Sequence, residues 1–484
     1  MKHSLLLSLT LSFLFGTACL TDLSAQNRDD AFRDFVRNRT TERENWRAKA
    51  NAEFATYLNE AWAEFQIRRG KESPLQPVDE QPTYYKGAPQ PAPQRARAGL
   101  PGLSSWSEAP LRPETVSTPV AAGAGYHEQG GVLNFNFYGQ GLSLPFDAGM
   151  RLPYVSAKEK EVADAWKQLS GSNFMPTVEG IRSIVTQNSL NDWAIYMLIK
   201  QMTEALYADG RENERMVTQM FLLCQLEYKV RVGASGKDLV LLLPFKEPIY
   251  QVSYISDKGE DLFIFSYKSL STQTPLYTFT RDFSSANRLI SLVLDKPLRL
   301  GNETTYRSIK MPLWSKIIGE DIEVPVNAAE IEFFYNYPQT DLPVYHHSAV
   351  NEETAKILLR NVKYQVLAEQ MSNEDAVSYI LSLIQNGFEY KTDYEMFGRS
   401  KPLFIQESIY YGANNCKDRV LLFSWLVQEI LNLPTVMYGY PNHVSCGVSF
   451  DGKEYVSCDP TYIGAPVGAV MPRFQDVEPV VIRM

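Results

Sequence analysis

The run Asn414-Asn415-Cys416-Lys417-Asp418-Arg419 places a cysteine among polar residues just ahead of a long apolar stretch, and His443 and Asp459 follow it. The thiolate is the nucleophilic form of cysteine. A helix N-terminus favours it through unpaired backbone N–H groups and the macrodipole. A histidine can take up and return the proton, and a carboxylate can orient the imidazole and stabilise its charged form. Cys416, His443 and Asp459 therefore read as nucleophile, base and orienting acid. Acyl transfer also needs donors for an oxyanion, here the Cys416 backbone N–H and a group upstream. Gln406, Tyr410 and Tyr411 are candidates, and the sequence does not choose among them. A lone free cysteine is commonly just buried; the combination is what points to chemistry.

The chain has five histidines. His3 lies in the leader, His127 near a linker, and His346-His347 in a Pro-flanked segment. No cysteine or acidic cluster stands at ligand spacing from the pair, so neither a metal nor another cofactor is expected.

The element that must hold Cys416 is a helix through Leu431. Asn414 or Asn415 can cap it, and Asp418 falls in its first turn, where negative charge is favoured. Val420, Leu421, Phe423, Trp425, Leu426, Val427, Ile430 and Leu431 cover most of its surface, so it should be a buried central helix on a sheet. Lys417 adds positive charge beside the thiol. Strands are expected at Thr435–Tyr440, His443–Phe450 and Glu454–Asp459, with a turn at Asp451-Gly452.

The hairpin register then matters. A two-residue loop pairs Phe450 with Lys453, puts Val444 opposite Asp459 and turns His443 away. A three-residue loop, Asp451 to Lys453, pairs Ser445 with Asp459 and leaves His443 diagonal to it on the same face. Only that register permits a triad. It also sets Cys446 opposite Cys458, either as a cross-strand disulfide or as two small buried residues. Tyr394, Phe397, Tyr438 and Tyr462 either wall a cleft or pack the core.

With these motifs in place, Asn373 to Gly468 resembles the transglutaminase-like superfamily of papain-related cysteine enzymes. The likeness rests on the helix ending in Asn386-Gly387-Phe388-Glu389-Tyr390, the Cys416 helix start, His443 leading a strand, and Asp459-Pro460-Thr461-Tyr462 closing the next. It implies an α+β fold with the central helix packed on an antiparallel sheet. It also implies Cys416 as nucleophile, His443 as general base and acid, and Asp459 as the group that stabilises the imidazolium. Related exported bacterial peptidases carry acidic residues on both sides of the cysteine, some of which help to bind calcium. Asn415 and Lys417 stand there in this chain, so calcium is not carried over.

A chain of 484 residues is long for one core, which predicts several domains. Residues 1–25 read as a signal peptide, with Lys2, an apolar run and Leu23-Ser24-Ala25 before Gln26, so export to the periplasm or medium is expected. Gly16-Thr17-Ala18-Cys19 offers a second reading, a lipoprotein box that would anchor the chain through Cys19. Residues 26–70 read as an amphipathic helical segment with Phe54, Leu58, Trp62 and Phe65 in one stripe. That stripe either packs on the protein's own body or docks an envelope partner. Residues 71–124 read as a Pro/Gly-rich linker, 125–297 as an α+β domain, 298–341 as a β connecting region and 342–484 as the catalytic domain.

Within 125–297, helices are expected at 156–169, Thr177–Gln187, Asn191–Ala208 and Glu212–Gln225, the first opened by a Ser156/Glu159 capping box. Strands are expected at Tyr228–Val232, Leu239–Phe245, Ile249–Ile255 and Leu262–Tyr267. This repeats the helix-then-strand order of the C-terminal third, with Arg211 at the place of Cys416, as in a degenerate second copy. A net charge of −9 argues against nucleic acid as a partner, and no stretch after the leader is long and apolar enough for a membrane span. Two functions remain open: a cysteine hydrolase acting on a peptide or protein, and a non-catalytic scaffold using the same fold for recognition.

Overall fold

The computed structural model describes residues 32–75, 82–86, 126–127, 131–207 and 210–484. The expected signal peptide, the Cys19 box and most of the expected linker lie outside them. Among the described residues no helix is long and apolar enough to cross a membrane.

The architecture is mixed α+β with antiparallel principal sheets. In the C-terminal part the helix Cys416–Leu431 packs on a four-stranded sheet ordered Val456–Cys458, His443–Val448, Thr435–Tyr440, Val480–Arg483. Its apolar girdle makes it a core helix, and Val420, Leu422, Phe423, Leu426 and Val427 are all fully buried. The helix stops where Asn432 takes a left-handed conformation (φ 54°), a geometry asparagine tolerates better than most residues. The helices Leu342–His346, Glu352–Ala368, Asn373–Asn386 and Ile405–Tyr411 enclose its other sides. Gly387 ends the Asn373–Asn386 helix where a side chain would meet Leu383 O and the Trp314 ring at 2.3 Å, so only glycine fits that turn.

The N-terminal part stacks the helices Glu159–Gly171, Met175–Gln187, Asp192–Leu206 and Glu212–Gln225 with a six-stranded sheet. That sheet runs Ala63–Phe65, Leu276–Thr278, Arg231–Ser235, Asp238–Leu243, Glu260–Phe265, Tyr254–Asp257. A hairpin, Val132–Phe137 with Gln140–Pro145, lies against the Asp192–Leu206 helix. One hydrophobic core runs from Ala50 through both parts to Cys458.

Several local expectations change. Within the expected helical segment 26–70, the described helix runs over 32–58 and ends there, because the chain turns into the edge strand Ala63–Phe65. Phe54, Leu58 and Trp62 are buried against the protein's own core, whereas Phe32, Phe35 and Trp46 are exposed. Ser156 does not cap its helix: the cap position is Lys158, and the Ser156 backbone N–H is taken by Glu161 at 2.6 Å. The strand expected at Tyr228–Val232 is Arg231–Ser235, and the one expected at Ile249–Ile255 is Tyr254–Asp257; hairpin turns set those boundaries, and apolarity alone does not. The 298–341 region contains a two-stranded ribbon, Tyr306–Lys310 with Glu323–Asn327, but also the helices Pro312–Ile318 and Ala328–Tyr335. The start of the expected linker is not free either. Lys71 pairs with Asp261 at 2.9 Å, Leu75 fills the space left by Gly439, and Thr83–Tyr84 pairs in parallel with Tyr462–Ile463.

Candidate active site

The hairpin takes the register that allows a triad. Cys446 pairs with Cys458, Gly447 with Ser457 and Val448 with Val456. The loop between these strands is seven residues, 449–455, longer than the expected three. The Asp451 carboxylate closes its tip by accepting from the backbone N–H of Lys453 and Glu454 at 2.8 and 3.0 Å.

His443 Nε2 and Asp459 Oδ2 lie 2.8 Å apart. The other carboxylate oxygen accepts from the backbone N–H of Thr461 (2.8 Å) and Tyr462 (3.1 Å), which fixes the carboxylate plane. With Nε2 engaged, Nδ1 is the ring nitrogen left for Cys416, which lies near enough to contribute to the raised pKa of the imidazole. Burial alone would push the imidazole down. The Asp459 charge and hydrogen bond, with the Cys416 contact, outweigh it and raise His443 to about 10. An imidazolium is therefore the resting form at neutral pH.

The helix tip sits on a buried polar network. Asn415 is the cap residue, and its backbone N–H donates to Asp418 at 3.3 Å. Lys417 does not offer the thiol the unbalanced charge expected of it. Its ammonium holds both oxygens of Asp393, at 2.7 and 2.8 Å, and this carboxylate also accepts from the Asn415 amide at 2.8 Å. Two other residues escaped notice in the sequence. Arg419, 1% exposed, donates to Asn414 Oδ1 (3.0 Å) and to the backbone oxygens of Phe388 (2.9 Å), Gln385 (3.3 Å) and Pro460 (3.4 Å). No carboxylate among the described residues forms an ion pair with it. Burial pushes it down to about 10, and the negative forms of Tyr390, Cys416 and Asp459 oppose that shift. Gln385 donates to the carbonyls of Asp459, Tyr462 and Ala465 at 2.9–3.2 Å, which pins the loop carrying the acid. Arg419 closes the run that opens the helix but its type alone assigns it no partner, and Gln385 lies on a separate helix, so only the folded chain reveals what each holds.

The three oxyanion candidates lie buried on the helix Ile405–Tyr411, which packs on the Cys416 helix. Gln406 lies near Glu330, on the Ala328–Tyr335 helix, and lowers the pKa that burial of that carboxyl raises. Tyr410 and Tyr411 pack on each other at 5.2 Å, and Tyr411 on Phe397 at 5.1 Å. Of the expected cleft aromatics, Tyr394 is exposed and Tyr462 is buried against Tyr85. Cys446 and Cys458 stand opposite each other as the register requires, but both are free thiols and no disulfide links them. Their sulfurs turn along their own strands, toward Gly447 O and Val456 O. Burial raises Cys446 well up and Cys458 to about 12, so both behave as small apolar residues.

The site is closed. Cys416, His443 and Asp459 are 1%, 2% and 4% exposed. Phe474, from the short turn Pro472–Phe474, stacks on the His443 ring at 5.3 Å and 7°, and Tyr440 packs beside both rings, 4.5 Å from Phe474 and 6.4 Å from His443. His346, the other buried histidine, is pushed down to about 3 by burial, and His347 bonds to Pro343 O. Among the described residues no group of three or more His, Cys, Asp or Glu side chains is placed to hold a metal ion.

Comparison with known protein families finds none that matches the chain, and no curated protein is similar to it.

Proposed function

We propose that the protein is an exported cysteine hydrolase that cleaves a peptide or isopeptide bond through a thioester intermediate. The observation that carries this is the buried His443–Asp459 pair at 2.8 Å, with Cys416 beside it at the tip of a buried helix. The thiolate of Cys416 attacks the carbonyl carbon. His443, charged and held by Asp459, gives its proton to the departing amine and then takes one from the water that cleaves the thioester. An amine in place of that water would make the same site a transferase. The fold implied by the family resemblance, a central helix on an antiparallel sheet, suits this reading.

One observation favours the second reading, a recognition module without catalysis: the triad is sealed beneath Phe474. Iodoacetamide at neutral pH separates the two. A hydrolase that opens transiently alkylates at Cys416 faster than the same thiol in the denatured chain, and loses all activity as Cys416→Ala. Labelling no faster than in the denatured chain, with activity intact in Cys416→Ala, sinks the hydrolase.

A further inference from the structure

Among the described residues, Asn414 carries a buried donor two positions before Cys416 that has no partner, and the Tyr411 and Thr461 hydroxyls likewise lack one. Arg419 Nε donates to its Oδ1 at 3.0 Å. A guanidinium nitrogen can only donate, so this bond fixes which end of the amide is oxygen and turns Nδ2 away from Arg419. Nδ2 is buried without a hydrogen-bond partner, on a residue that is 0% exposed. The backbone nearby is satisfied, with Lys391 N–H donating to Asn414 O at 3.3 Å. A buried amide group left unmade is costly and rare in a folded protein, and such groups cluster where a ligand or a reacting atom completes them.

Its location suits a reacting oxygen. Asn414 precedes the helix by one cap residue, and Cys416 is the first helical residue, whose N–H has no acceptor within the helix. Arg419 follows Cys416 by three positions, on the same helix face, and reaches Pro460 O next to Asp459. Through Arg419, Asn414, two residues before Cys416, is tied to the carbonyl that follows Asp459.

We propose that Asn414 Nδ2 is the side-chain donor of the oxyanion hole, acting with the Cys416 backbone N–H, and that Arg419 is the positioning residue that holds the amide in this orientation. The inference rests on Cys416 being the nucleophile. As the sulfur–carbon bond forms, the carbonyl π pair moves onto oxygen, which accepts from both donors. When the pair returns, the bond to the leaving group breaks and the sulfur keeps the acyl group.

Two small reagents isolate the effect. p-Nitrophenyl acetate acylates Cys416 through an oxyanion, releasing p-nitrophenolate. Iodoacetamide alkylates the same thiolate by displacement of iodide and forms no oxyanion. Asn414→Ala is expected to lower the acylation rate on the order of 10²-fold while alkylation keeps its wild-type rate. The ratio of the two rates cancels the thiolate fraction. Asn414→Asp, which keeps the acceptor for Arg419 but loses the donor, therefore gives the same reading if the alanine variant does not fold. An unchanged ratio in the folded variant overturns the inference and leaves the nucleophile standing. A wild-type Cys416 that reacts with neither reagent faster than in denaturant overturns the nucleophile, and this inference with it.

Discussion

Two regions of the molecule solve the same packing problem, a helix on an antiparallel sheet, and each buries an arginine. Arg231, in the N-terminal sheet, meets Asp282 at 2.6 Å and Asp257 at 2.7 Å. Burial pulls it down, but the two carboxylates outweigh that and its pKa is raised. Arg419, in the C-terminal helix, has only neutral acceptors and is pushed down to about 10. A buried cation with full compensation is a structural device, since each charge offsets the desolvation of the other. A buried cation without a counter-ion instead depends on neutral acceptors, which offset less of its desolvation, and the proposed oxyanion would supply the missing charge. The same contrast holds for cysteine. Cys224, on the Glu212–Gln225 helix, has its pKa raised by burial, whereas Cys416 heads its helix beside an imidazolium.

The largest expected effect separates those two cysteines. Cys416→Ala should abolish turnover and thiol labelling while leaving thermal unfolding nearly unchanged. Cys224→Ala should keep both activities and lose only about 1 kcal/mol in urea unfolding. Turnover surviving in Cys416→Ala would erase the distinction. Breaking the buried pair below the helix tip comes next. Lys417→Met leaves Asp393 uncompensated and should cost about 3–5 kcal/mol. Arg211→Gln, at the matching helix start of the N-terminal region, should cost much less, because Arg211 is partly solvated and pairs with one carboxylate.

Titration gives the third test. His443 is raised from 6.5 to about 10, so its protonation stabilises the fold fully below pH 6.5, and that contribution is lost as pH rises through about 10. His443→Gln should flatten stability across that window. Glu330 is raised from 4.5 to about 7 by burial, so its ionisation destabilises the fold as pH climbs through that range. Glu330→Gln should therefore stabilise the protein by about 1–3 kcal/mol at pH 8 and by little at pH 4, read from urea midpoints. The smallest effect concerns closure. A stacked aromatic contact is worth about 0.5–1.5 kcal/mol, so Phe474→Ala should speed Cys416 labelling about two- to tenfold. No change would mean that Phe474 does not close the site.

Much of this was legible in the chain itself. The apolar girdle from Val420 to Leu431 specified a buried helix, and the alternation after Thr435 specified strands, because burial periodicity is a local property. The requirement that His443 and Asp459 share a face selected one hairpin register, and the strands adopt it although the loop is longer than expected. Less legible were boundaries such as Arg231–Ser235, where hairpin turns override composition.

The sequence by itself determined the Cys416 helix, the hairpin that sets His443 beside Asp459 and the pairing of Cys446 with Cys458 across the strands. Only the tertiary structure decided which polar neighbours serve them. Lys417, adjacent in sequence, spends its charge on Asp393, while Arg419, Gln385 and Phe474 come from a helix turn, a separate helix and the C-terminal segment to frame the site. Local patterning fixes which face is apolar. Where a buried charge or amide finds its partner depends on distant segments meeting in a low-dielectric interior, which no local pattern encodes.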